Sequence, residues 1–331
     1  MSERIKELEK YNYSMKKWYK GKQKMLTVIS VPGNTTLIFK EIIEEALNNK
    51  QKVLYAWNGK GVNKDLLKKL QINEDYSYYS KEDNYSSLGF INIENYKIIK
   101  SKYDLCIIDD ISLFEIKNRN QIIEVLEHLF LYCNKLIIYS IEKLTPSGEV
   151  LDVLALNRKQ PFVEPRYITT RVNLEEEIPY RVYEYIEWFK KNCEKAIILL
   201  PNEKKVNKIY ENYTELIASK GIKLNKYLEK SNTRIKDKLW KEKKNEVIIL
   251  TNIIENYKCI DNINFIVIFS GEDTISFKKI VFLCAQAGIY KDKPLGEVII
   301  CSKTITKDMD KAKELCRSYN KNLWEKGLVK Y

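Results

Sequence analysis

Two short stretches hold the residues that could do chemistry. The first is "SVPGNTT", residues 30–36, in which Gly33 loosens a turn and Asn34, Thr35 and Thr36 follow. It sits between an apolar run and a helical one, the layout of a phosphate-binding loop. Such loops converge backbone N–H groups and a helix start on an anion. A lysine adds charge at the β/γ-phosphates, and the hydroxyl after it holds Mg²⁺. Here Thr36 keeps the hydroxyl, but Thr35 stands where the lysine belongs and Asn34 where a glycine belongs. The second stretch, "YDLCIIDDIS", is an apolar strand ending in Asp109 and Asp110. Carboxylates at the C-terminal edge of a parallel sheet lie where ligands bind, and a pair of them can hold Mg²⁺ and orient a water. Strand ends also carry Asp as a plain cap or turn residue, and both readings stand.

These residues need a sheet to position them. Continuous apolar runs, "MLTVIS", "KVLYAW", "YDLCIIDD" and "KLIIYS", recur in the first half, and "KAIILLP", "EVIILTN", "NFIVIFS" and "GEVIICS" in the second. Runs without alternation mark strands buried on both faces of a parallel sheet. Between them, "TLIFKEIIEEALNNK" and "EKKVNKIYENYTELIASK" have the three- and four-residue spacing of amphipathic helices. The pattern predicts an α/β fold of two tandem doubly wound domains, as in two-lobed NTP-driven translocases. The first lobe should cover residues 1–160 and the second 179–331, with a proline-bearing linker at 161–178. The N-terminal 20 residues place Ile5, Leu8, Met15 and Trp18 on one face, which predicts a helix docked on the first lobe.

Composition narrows the classes. With 331 residues and 44% hydrophobic content the chain can build two cores. Its apolar runs are far shorter than the ~20 residues a bilayer requires, and "MSERIKELEKYNYSMKKWYK" is charged throughout, so we expect a cytoplasmic protein without membrane insertion. Seven scattered cysteines predict buried, reduced thiols rather than a disulfide framework or a metal site. His128 is the sole histidine, which removes most His-dependent catalytic schemes, and its apolar helical setting predicts a structural role. The net charge of +12 suits a polyanionic partner, although a Lys/Asn/Ile/Tyr-rich composition also arises from an AT-rich genome.

Longer stretches bring a resemblance. "NRKQPFVEPRYITTRVN", "IPYRVYEYIEWFKKNCEKAIILLPNEKKVNKIYE" and "GEVIICSKTITKDMDKAKELCRSYNKN" resemble the interlobe segment, the second-lobe opening and the C-terminal strand and helix of ComFA. That family is the helicase-like ATPase of bacterial late competence, and more broadly the chain resembles a superfamily 2 helicase core with RecA-like (P-loop NTPase) lobes. The resemblance spans most of residues 20–325. It implies an ATP loop at Gly33, Asn34, Thr35 and Thr36, with Mg²⁺ held by Thr36 and Asp109 if ATP binds. It also implies that the family's motifs are damaged. Gly-Lys-Thr of the loop is Asn34-Thr35-Thr36, and the Asp-Glu pair is Asp109-Asp110. The Thr-Ala-Thr coupling motif corresponds to Tyr139-Ser140-Ile141, and Glu-Arg-Gly to Glu255-Asn256-Tyr257. In the final motif Gln286 and Ile289 stand where two arginines belong, while Gly288 survives. The remnants Asp109, Asp110, Glu255 and Gln286 then make no complete catalytic set. Arginine fingers alone are worth ~10³ to 10⁵ in rate, so we expect at most weak ATP/Mg²⁺ binding and little hydrolysis.

A basic surface remains. "KSNTRIKDKLWKEKK", residues 230–244, places Arg234, Lys238 and Lys241 around Trp240, and "KKWYKGKQK", residues 16–24, is a second basic stretch with interleaved aromatics. Such stretches bind phosphate backbones, and an aromatic can stack on a base. Equally, Trp240 can pack inward from a solvated helix. The expected partners are single-stranded DNA and a protein of a DNA-uptake or DNA-processing assembly. Two other classes stay open: an active ATP-dependent DNA translocase with replacement cations, and an interaction protein that pairs with a working ATPase.

Overall fold

The apolar runs form two all-parallel sheets, one in each of two units, Met1–Lys159 and Gln160–Tyr331. The computed structural model describes every residue except 1–2, 33, 35, 60, 71–74, 81–85, 110–118, 157–159, 175, 193, 220, 229–246, 255–262, 270–274, 288–295 and 330–331.

The first unit opens with α1 (Glu3–Lys20) and β1 (Met25–Ile29). A 3-10 turn (Thr36–Phe39) runs directly into α2 (Lys40–Asn48), followed by β2 (Val53–Trp57), α3 (Lys64–Leu70), β3 (Tyr76–Tyr79) and β4 (Leu88–Asn92). A second 3-10 turn (Ile93–Ile98) leads to β5 (Tyr103–Asp109), α4 (Arg119–Leu131), β6 (Cys133–Ser140) and β7 (Glu149–Asp152). The sheet order is β3-β4-β2-β5-β6-β1-β7. Successive strand side chains point to opposite faces. Val28, Tyr55, Ile107, Ile137 and Tyr139 accordingly lie in one core with residues of α1, α2 and α3. Leu54, Ala56, Cys106, Ile108 and Ile138 lie in the other, with residues of α4. Burial on both faces is why these strands read as unbroken apolar runs.

The N-terminal helix docks as its spacing predicts, with one change of face. Tyr11, Asn12, Met15 and Trp18 are buried, whereas Ile5 is 47% exposed. Lys135, from β6, closes the C-terminal end by donating to the carbonyls of Trp18, Gly21 and Gln23 at 3.3, 2.6 and 2.7 Å. Those carbonyls lie beyond the reach of the helix's own N–H groups, and a cation there also suits the helix dipole. His128 has the structural setting expected of it: its Nε2 lies 3.1 Å from the Ile99 carbonyl and its ring stands edge-on to Tyr96.

The second unit comprises β8 (Arg166–Thr169), α5 (Tyr180–Lys191), β9 (Lys195–Leu199), α6 (Glu203–Ser219), β10 (Lys223–Tyr227), β11 (Val247–Thr251), β12 (Ile263–Ile268), α7 (Phe277–Gln286), β13 (Val298–Ser302) and α8 (Lys307–Glu325). Its sheet order is β10-β11-β9-β12-β13-β8. The stretch 161–178 departs from a linker. β8 pairs in parallel with β13, and Phe162 exchanges two hydrogen bonds with the Asn320 side chain on α8. Phe162, Val163, Ile168, Leu174 and Ile178 are buried. The prolines stop a helix there but leave an edge strand possible, and the apolar residues between them hold the segment to the unit. Ser276 and Thr306 cap α7 and α8 by accepting from Lys279 and Met309 backbone N–H groups. Five described cysteines, Cys106, Cys133, Cys284, Cys301 and Cys316, are buried free thiols. Burial pushes the Cys133 and Cys301 thiols up to about 12, so they behave as small core residues rather than nucleophiles.

Candidate functional site

β1 lies inside its sheet, and the chain leaves it for β2 on one side while the connection from β6 passes to β7 on the other. Neighbouring strands whose connections diverge create a crevice at their C-terminal ends, the usual ligand position in such sheets. Three strand ends line up there: Ile29 is opposite Ser140, and Asp109 is opposite Tyr139. The sequence therefore places its loop and its acid at one edge of one lobe, with β6 between them.

The loop is tied to its own lobe by Asn34. Its amide nitrogen donates to Ser30 Oγ at 2.8 Å and to the Leu154 carbonyl at 2.7 Å, and its oxygen accepts from the Leu156 N–H at 3.2 Å. The residue that replaces a glycine is thus a three-way staple between the loop and the segment after β7. Thr36 begins the 3-10 turn, and Ile38 and Phe39 bury completely behind it.

The acid end is dry. Asp109 is 6% exposed, and its Oδ2 accepts from the Tyr55 hydroxyl at 2.9 Å. Burial first, and then the Asp109 charge, holds the Tyr55 hydroxyl well above the ordinary phenol range, so it stays a donor. Tyr139, opposite Asp109 on β6, is also pushed up, by burial above all. Its hydroxyl lies 3.4 Å from Ser30 Oγ, and its ring stands edge-on to Phe39 with centroids 5.0 Å apart. Ser140 is fully buried beside it. Two buried tyrosines thus adjoin the carboxylate that the sequence offers to Mg²⁺.

The hydroxyl end carries a residue that sequence reasoning missed. Lys69 Nζ donates to Thr36 Oγ1 at 3.1 Å. It comes from α3, whose N-terminus Asn63 caps by accepting from the Leu66 N–H and whose Leu66, Leu67 and Leu70 are buried. Desolvation lowers the Lys69 ammonium's pKa, against a smaller opposing effect from Asp65 one turn earlier. No motif marks this lysine, and its partner lies 33 positions away.

The other nominated residues fall in three groups. Gln286 ends α7 and is 1% exposed. Gly33, Thr35, Asp110, Glu255, Gly288 and Ile289 lie outside the described residues, as do Arg234, Lys238, Trp240 and Lys241. The basic stretch at 16–24 needs correction as a nucleic-acid surface. Trp18 is 2% exposed, Tyr19 donates to Gln51, and Lys16 and Lys20 pair with Glu41 and Glu45 of α2 at 2.6 and 2.9 Å. Its aromatics and much of its charge serve the docking of α1. The second unit also has an open cavity of about 560 Å³ lined by Arg166, Arg181, Glu184, Tyr185, Trp188 and Glu297, which no sequence motif indicated. Among the described residues no helix is long and apolar enough to cross a membrane.

No family model matches the chain, and no curated protein matches it by sequence. Solved structures do. The chain is similar to S. cerevisiae Dbp5 bound to RNA and ADP BeF3, with 12% identity over 97% of this chain and 95% of that one, at a TM-score of 0.52. It is also similar to the E. coli DExH-box NTPase HrpB, with 14% identity over 95% of this chain and 42% of that one, at a TM-score of 0.56. Identity this low speaks for the fold alone: the chain has two tandem RecA-like α/β lobes.

Proposed function

We propose that this is a ComFA-like helicase-fold protein that has given up ATP turnover and works by binding single-stranded DNA within a DNA-uptake or DNA-processing assembly. One observation carries the loss of turnover: the Asp109 carboxylate, the natural Mg²⁺ ligand of the first lobe, is buried and hydrogen-bonded to Tyr55. A metal would have to displace a buried phenol and open a dry site, and a buried charge is costly to strip of its partner. Thr35, Gln286 and Ile289, in place of a lysine and two arginines, support the same reading. The polyanion side rests on the net charge of +12 and on the fold, since the Dbp5 structure contains RNA.

Two measurements test the proposal. Steady-state ATP hydrolysis with and without single-stranded DNA should show no stimulated turnover; a rate above ~1 s⁻¹, the low end of ordinary enzymes, would sink it. Single-strand binding should be insensitive to sequence and steeply dependent on salt, because each phosphate neutralised releases counterions. Charge reversal at Arg234, Lys238 and Lys241 together should flatten the log–log salt slope by about 2, at about 0.7 per phosphate contact. An unchanged slope would mean that these residues only solvate the second lobe. Trp240→Ala then separates stacking from packing: it weakens DNA binding in the first case and lowers the melting temperature in the second.

A further inference from the structure

The sheet of the second unit has two edges, and they are finished differently. β10 (KLNKY) exposes Lys223 and Lys226, and charges of this kind deter another chain from pairing there. β8 (RYIT) closes the opposite side and pairs with β13 alone among the described strands. Its tyrosine, isoleucine and threonine favour extended backbone. The Thr170 N–H bonds inward to the Ser302 carbonyl. Successive backbone groups of a strand alternate sides, so the Thr169 N–H points outward. Ile168 joins Val182, Ile186 and Phe189 of α5 in the core, whereas the Tyr167 hydroxyl donates to the Met309 carbonyl of α8 on the other face. Arg166, on the α5 side, donates from Nε to Glu297 at 3.0 Å. Between this edge and α5 opens the cavity of about 560 Å³.

α5 turns one stripe to that cavity. Arg181, Glu184, Tyr185 and Trp188 follow the i, i+3, i+4, i+7 spacing of a single helix face. The buried Phe189 ring braces both aromatics, with centroids 6.1 Å from Tyr185 and 5.4 Å from Trp188. Trp188 is nonetheless exposed, and so are Arg181 and Glu184, which form no ion pair among the described residues. An open strand edge beside a helix-walled groove is the geometry in which an extended peptide adds as a further strand. The backbone ladder then gives affinity, and the side chains that face the groove select the partner. We propose that β8 and α5 form a docking site for an extended segment of a partner protein. The segment pairs with β8 and turns an acidic, a basic and an aromatic or aliphatic residue, at alternate positions, toward Arg181, Glu184 and Trp188. Three alternate strand residues span ~13 Å, close to the ~10.5 Å from Arg181 to Trp188 along the helix. Two arginines and two glutamates leave the cavity without net charge in a chain of net charge +12. That balance suits a protein segment of both signs, and the carboxylates would repel a nucleic-acid strand. The proposal is independent of the phosphate-type loop and of the DNA-binding reading.

The test is fluorescence anisotropy of the full chain with labelled peptides. One is Thr-Asp-Thr-Lys-Thr-Phe-Thr, which turns Asp, Lys and Phe to one face, and a second has the reversed order, since an added strand can run either way. We expect one of the two to bind at submillimolar concentration. A scrambled peptide, Thr-Asp-Lys-Thr-Phe-Thr-Thr, puts Asp and Phe on opposite faces and should bind about tenfold or more weakly. Methylating one alternate set of peptide backbone nitrogens should abolish binding and methylating the other should not, because only one set faces β8. In the protein, Trp188→Ala should weaken binding about tenfold or more, as for a buried aromatic anchor, with a melting temperature within a few degrees. Thr169→Pro removes the outward N–H and leaves the β8–β13 ladder in place, and it should weaken binding as much. Arg181→Glu should weaken it too and recover with a peptide in which Lys replaces Asp. Absence of binding by both orders at millimolar concentration would overturn the proposal, as would equal binding of the scrambled peptide or equal sensitivity to the two methylated sets. Should Thr169→Pro unfold the protein, the methylated peptides decide alone. Oligothymidylate binding that falls in Trp188→Ala would make the groove a nucleic-acid face, and a dimer dissolved by Thr169→Pro would make the occupant a second copy. Either result overturns the proposal.

Discussion

The two ends of the candidate site are built in opposite ways. At the acid end, Asp109 accepts from Tyr55 and lies opposite Tyr139, and both tyrosines belong to the core. At the hydroxyl end, Asn34, Thr36 and Lys69 form a polar rim of side-chain hydrogen bonds that remain partly exposed. One end is absorbed into the packing of the lobe, and the other stays polar and partly exposed. The acid end is thus held by core packing, and the hydroxyl end by polar contacts between side chains.

The largest effect that separates the two ends should come from Tyr139→Ala. Tyr139 is 2% exposed, lies opposite Asp109 in the sheet and packs edge-on against Phe39, so we expect a loss of about 3–5 kcal/mol, as for other large core aromatics, measured by urea unfolding. A loss under about 1 kcal/mol would show the acid end to be loosely packed and would break the comparison. Next in size is Tyr55→Phe, which keeps the ring but removes the donor to a buried carboxylate. It should cost about 1–3 kcal/mol. Asp109→Asn added to it should recover part of that loss, because the buried charge that lost a donor is then gone, and a further loss would contradict this account. The smallest effect belongs to the polar rim. Asn34→Gly supplies the glycine usual in a phosphate loop, yet it should destabilise by about 1–2 kcal/mol because three hydrogen bonds vanish and the turn gains freedom. A gain in melting temperature would refute the staple.

The fold was largely open to reading in advance, for a physical reason. β1, β2, β5, β6, β9, β11, β12 and β13 lie inside sheets buried on both faces and so carry unbroken apolar runs. The strands that escaped the pattern are mostly edge or near-edge elements. β7 (EVLD) and β10 (KLNKY) are half-polar because one side meets water. β4 (LGFIN) contains Gly89, which reads as a breaker. Here it is required, because a Cβ at that position would lie 2.4 Å from the Tyr79 ring. For the site, the loop and the acid could be read because each follows a strand. Their surroundings could not: Tyr55 is 54 positions from Asp109, Lys69 is 33 from Thr36, and no local spacing encodes either meeting. The stretch at 16–24 misled in the other direction, since lysines interleaved with aromatics look alike whether they wrap a nucleic acid or clamp a helix to its own lobe.

The staple at Asn34 also has a consequence in time. Its two backbone partners, at Leu154 and Leu156, lie 120 and 122 positions downstream, and β1 is flanked by β6 and β7, both formed by later chain. A ribosome adding roughly 5–20 residues per second needs roughly 6–24 s to bridge that gap. For most of that interval the nascent β1 has neither neighbouring strand, and throughout it the turn after it lacks the anchors that give it shape. The loop, made before most of its lobe, is therefore among the last parts of that lobe to acquire form. A chain arrested before Glu149 should present β1 with one open edge, a natural target for chaperones and for pairing with other nascent chains.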